Sequence, residues 1–139
     1  MNYQVNAKFF MEGEKLNSEK ATDAIGLHPT QTKRIEDYPY KEYASNSWTY
    51  EIEIIETLDI DDLAVLLMKT LEPHKQRIID FCAQYDLKTY IKFVIESPDD
   101  SWPVMALSRD FIQFAAELKA EVQFGLYCCL DVDLSQYAL

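Results

Sequence analysis

The stretch WTYEIEIIETLDIDDLAVLLM, residues 48–68, changes its apolar period partway along. Trp48, Tyr50, Ile52 and Ile54 alternate with Thr49, Glu51 and Glu53, the period of two that marks a half-buried strand. From Asp59 onward Leu63, Leu66, Leu67 and Leu71 recur at helical spacing. A strand therefore feeds almost directly into a helix. Because that strand is apolar on one face only, the sheet it joins is expected to be covered on one side and wet on the other.

Working outward from this stretch, the same alternation returns three times. Tyr3 to Met11 places Tyr3, Val5, Ala7, Phe9 and Met11 on one face, Thr89 to Glu96 does so with Ile91, Phe93 and Ile95, and Val122 to Leu130 supplies a fourth strand. Helical signals separate them. Asn17-Ser18-Glu19-Lys20 offers a cap, Ala21, Ala24 and Ile25 a short stripe, and Gly26 an exit. The helix opened by Asp59 continues through Ile78, Phe81 and Tyr85, with Pro73 able to kink or divide it. A third runs from about Ser108, its cap, to Ala120. Residues 28–47, with Pro29 and Pro39 and no clear period, read as a loop.

The expected order is β-α-β-α-β-α-β in a single α+β domain over residues 1–139. Its expected architecture is a two-layer sandwich, a four-stranded and mostly antiparallel sheet with three helices on one face. The strand order is left open at this level.

Charge and cysteines narrow the function. Twenty-four acids against thirteen bases leave a net charge of -11, which repels phosphate backbones and anionic lipid, so neither nucleic acid nor membrane is expected as a partner. A basic protein is favoured electrostatically. No apolar run approaches the length of a membrane span, and the opening MNYQVNAKFF has no leader pattern, so a cytoplasmic chain is expected. Cys82, Cys128 and Cys129 fall in no zinc or dithiol spacing. They are expected as reduced thiols, at least one buried in a strand.

The carboxylates of the opening stretch sort by position. Asp59 stands at an N-cap and Asp61 and Asp62 in the first helical turn, where acids gain about 0.3–1 kcal/mol from the helix dipole. Glu51 and Glu53 point to the uncovered face. No glycine-bearing calcium loop is present, His28 and His74 are far apart, and Gly13, Gly26 and Gly125 are too scattered for a phosphate cradle. No metal, cofactor or catalytic residue is therefore expected, and the chain reads as a non-enzyme.

By parity the open face also carries Lys8, Phe10, Thr49, Ile55, Tyr90, Lys92, Gln123 and Tyr127. Glu51, Glu53, Tyr90, Lys92 and Tyr127 are the candidate interaction face, since tyrosines anchor protein interfaces at little entropic cost. The alternative is a small-molecule pocket near the 28–47 loop, with Pro29, Thr30 and Trp48 as its wall. An exposed sheet face or edge is also compatible with a homodimer.

Several short pieces, in order and spacing, resemble an uncharacterised bacterial family, domain of unknown function four-two-seven-nine. They are Phe9-Phe10-Met11-Glu12-Gly13, Gly26-Leu27-His28-Pro29-Thr30, Trp48-Thr49-Tyr50 and the long helix that follows. Residues 31–37 depart from that pattern in lacking a glycine. The resemblance brings no activity and no catalytic residue. From size, charge and absence of recognisable chemistry, the expected function is protein interaction, of the kind by which a bacterial immunity protein neutralises a toxin through an acidic surface.

Overall fold

The period of two holds along the first strand, β1 (Gln4–Glu12), where Val5, Ala7, Phe9 and Met11 are buried and the residues between them only partly so. The computed structural model describes residues 3–40, 42, 44–54 and 59–128. β1 lies in the middle of one sheet, flanked antiparallel by β3 (Ser47–Ile54) and by β4 (Lys88–Ser97). Outside β3 runs β2 (Gln31–Lys33), antiparallel, and outside β4 runs β5 (Ala120–Cys128), parallel. The strand order is thus β2-β3-β1-β4-β5.

Among the described residues this corrects the expected four strands to five. The additional strand sits inside the stretch read as a loop. Gln31, Thr32 and Lys33 are all exposed, so they carry no apolar alternation to announce them, and β2 exists because the outer edge of β3 offers it hydrogen bonds. A short 3₁₀ turn, Ile35–Asp37, follows.

Among the described residues four helices cover one face. α1 (Ser18–Ile25) begins at Asn17, whose side chain accepts from Lys20 N at 3.0 Å, and ends at Gly26 with φ 77°. The long helix expected from Asp59 is divided at Pro73 by a 3₁₀ turn, Glu72–His74, into α2 (Ile60–Leu71) and α3 (Lys75–Tyr85). α4 (Arg109–Glu117) starts at Ser108, whose hydroxyl accepts from Phe111 N. It crosses between β4 and β5, as a parallel pair requires.

Asp59 caps α2 by accepting from Asp61 N at 2.9 Å. Asp61 in turn accepts from Ser108 N at 2.9 Å, so an acid in the first turn of α2 also fixes the start of α4. Helix starts thereby give the carboxylates at 59 and 61 a structural role.

The core lies between the sheet and the helices. Trp48 is fully buried, edge-on to Phe9 with centroids 6.3 Å apart, and its indole N–H donates to Thr22 Oγ1 at 3.1 Å. That bond satisfies the ring's one polar group and pins α1 to β3. Phe93 meets Phe111 of α4 in the same edge-on manner at 5.8 Å. The buried cysteine expected in a strand is instead Cys82, partly buried in α3; Cys128 ends β5 exposed, both are free, and Cys129 lies outside the described residues.

Two substitutions test this packing. Trp48→Ala removes a fully buried indole and leaves a cavity, and should cost about 3–5 kcal/mol in urea unfolding. Gly26→Ala places a Cβ 3.0 Å from Arg77 Nη1 in left-handed backbone and should cost about 1 kcal/mol or more; an unchanged urea midpoint in either variant would contradict the packing described.

Candidate functional site

Register decides what the uncovered face presents. One row reads Glu51, Lys8, Lys92, Gln123 across β3, β1, β4 and β5, and the next reads Thr49, Phe10, Tyr90, Glu121. The five candidates Glu51, Glu53, Tyr90, Lys92 and Tyr127 fall on this one face, as parity requires. Ile55 lies outside the described residues.

The face is not uniformly acidic. Lys8 and Lys92 stand directly opposite each other at its centre, and the ion pairs among the described residues lie elsewhere, at Arg34 and Lys75. Glu12, Glu51, Glu53, Glu96 and Glu121 form a rim around them on the same parity. Beside the lysines, Phe10 and Tyr90 stack with centroids 4.8 Å apart and planes 17° from parallel. Burial pushes the Tyr90 phenol above its ordinary value, and the charges of Glu12 and Glu121 and a hydrogen bond to Glu12 push the same way.

Gly125 matters for closeness. A Cβ there would meet the Tyr127 ring at 3.1 Å and Lys92 Cε at 3.3 Å. Its absence lets the lysine stem and the tyrosine ring close over β5, while Tyr127 remains 53% exposed. Asn6, in the same patch, has a buried side-chain oxygen without a hydrogen-bond partner.

Trp48 is fully buried on the opposite face of β3, turned toward α1. Thr30 donates to Thr49 O through both its N–H (2.8 Å) and its hydroxyl (3.2 Å), stitching the chain to β3 just before β2 begins. Pro29 precedes that stitch and is half-buried.

A cavity of about 490 Å³ does exist, elsewhere. Its wall comes from Ile79, Cys82, Ala83, Asp86 and Leu87 at α3 and its exit, from Lys88, Thr89 and Tyr90 at the start of β4, and from Glu117, Leu118, Lys119 and Glu121 around the exit of α4. Thr89 donates to Leu118 O at 2.9 Å, which ties the floor together. Lys75 at the head of α3 bonds Glu117 at the tail of α4 at 2.7 Å. That contact raises the lysine's pKa and holds the Glu117 carboxyl below the usual range. No local pattern marks these residues in the sequence, since they come together only when two helix exits meet two strand starts.

Among the described residues no group of three or more His, Cys, Asp or Glu side chains is placed to hold a metal. Asp99 is held below the usual carboxylate range by the Ser101 hydroxyl and backbone N–H and by Ser97, which makes it a turn-former in the 97–101 bend. The Cys82 thiol, pushed up to about 12 by burial, donates to Met11 Sδ at 3.5 Å and remains protonated at neutral pH, without nucleophilic character.

A folded-state pKa above the unfolded value means that the Cys82 proton favours the fold below the ordinary thiol pKa, and that this stability is lost as pH rises toward 12. Between about pH 9 and 12 the protein should therefore weaken relative to a Cys82→Ala variant by up to about 1.4 kcal/mol per pH unit. Parallel urea curves for the two across that range would contradict it.

No curated protein and no solved structure matches the chain. A family model does, over residues 3–129, which is nearly the whole fold just described. The chain belongs to the family described as Domain of unknown function (DUF4279).

Proposed function

We propose that this chain is a non-enzymatic interaction protein that receives a protein partner on the open face of its sheet. The observation that carries the reading is the face itself. Helices cover the other side, while here an aromatic stack, an opposed lysine pair and an exposed tyrosine sit together within a glutamate rim. Tyr90 and Tyr127 supply amphipathic area for an interface centre, and the rim and the net charge of -11 draw in a basic partner and speed its arrival. A toxin neutralised in the manner of an immunity protein fits this chemistry, with an acidic or polar group of its own meeting Lys8 and Lys92. No helix among the described residues is long and apolar enough to cross a membrane, and free thiols suit the cytoplasm.

A second reading, small-molecule binding, is favoured by the 490 Å³ cavity, whose size is that of ligand pockets. It is favoured at the exits of α3 and α4 and not beside Trp48.

A photo-crosslinking residue tests the docking face. Placed at Tyr127 in cells of the source organism it should capture one protein, whereas the same residue at Ile112, exposed on α4 on the helix-covered side, should not. Capture should fall in Lys92→Glu and decline as salt is raised in extracts. Equal capture from both positions, or none from Tyr127, would sink the reading.

A further inference from the structure

We propose that the groove between α3 and α4 binds a small amphipathic zwitterion, such as an amino acid with an apolar side chain. This rests on the small-molecule reading and draws nothing from the docking-face proposal. Its starting point is how the helices end. α1 leaves through Gly26 at φ 77°, glycine being the residue to which left-handed backbone costs least. α3 and α4 leave through the same region of backbone at Asp86 (φ 54°) and Lys119 (φ 56°). For Lys119 in particular the conformation is a steric cost, and glycine would be the residue of choice.

Both residues line the groove. They carry opposite charges, and each stands at the exit of one of the two helices that wall it. Side chains kept at strained backbone positions, against the local rule, point to a role other than stability. Ile79, Cys82, Leu87 and Leu118 give the wall an apolar strip, beside Lys88, Glu121 and the Glu117 carboxylate that Lys75 already engages, and Cys82 stays uncharged there. The Lys75–Glu117 contact joins the two helices at 2.7 Å, so the walls are held before any ligand arrives. An ammonium group then faces Asp86 at the negative end of α3, a carboxylate faces the Lys119 ammonium, and the apolar body lies in the groove. A ligand with one charge alone leaves one lip unmatched.

Calorimetry on the isolated protein with L-phenylalanine, phenethylamine and 3-phenylpropionate tests this. The amino acid should bind at least about tenfold more tightly than either single-charge analogue, a difference of about 1.4 kcal/mol. Asp86→Gly and Lys119→Gly should each weaken that binding about tenfold while melting at or above the wild-type temperature, because glycine relieves the backbone. Amine or acid binding as tightly as the amino acid, or undiminished binding in the glycine variants, overturns this inference and leaves the small-molecule reading standing. Failure of all three compounds to bind overturns both.

Discussion

The structure depends on the antiparallel pairing of β1 with β3 on one side and β4 on the other. Strand side chains alternate with a period of two, so this register fixes which residues are greasy and which are wet across three strands at once. A slip of one residue would turn Val5, Ala7, Phe9 and Met11 to solvent and bring Lys8 beneath the helices. The core side is closed by well-matched volumes: Trp48 against Phe9, Phe93 against Phe111, and the leucines of α2 beneath them. β4 and β5 are then free to pair in parallel because α4 spans the return.

The excess of acid is distributed by the same frame. Asp59 and Asp61 satisfy the N–H groups at the starts of α2 and α4, Glu117 is held by Lys75, and Asp99 shapes a bend. Five others, Glu12, Glu51, Glu53, Glu96 and Glu121, form a rim on the open face, around Lys8 and Lys92, which no carboxylate among the described residues approaches within ion-pair distance. A long-range negative field with a positive centre suits a partner that must be attracted from a distance and then oriented at contact. The edge is less finished than the centre: Phe124 and Leu126, on the helix side of β5, are 43% and 49% exposed, so apolar cover thins outward from β1 even though Phe124 stacks on Phe93.

Several groups whose pKa is displaced in this fold owe the shift to burial or to hydrogen bonds that hold the structure. The thiol nearest the cavity is protonated, and the most perturbed carboxyls are explained by hydrogen bonds that complete a turn or join two helices. The open face and the groove lie at different parts of the same sheet, sharing Tyr90 and Glu121. A ligand in the groove and a partner on the face would therefore meet across the first residues of β4 and β5.

The sequence by itself determined the local elements, because their rules act within a few residues. Asn17 and Gly26 bound α1, Asp59 and Ser108 open their helices, Pro73 divides the long one, and alternation assigns Glu51, Glu53, Lys92 and Tyr127 to the open face. Only the tertiary structure decided the strand order, the strand at Gln31–Lys33, the opposition of Lys8 to Lys92 and the cavity between α3 and α4. Each of these depends on pairing between residues far apart in the chain. Three exposed polar residues become a strand only when a neighbouring edge offers them hydrogen bonds, and two helix exits form one groove only when their strands lie side by side.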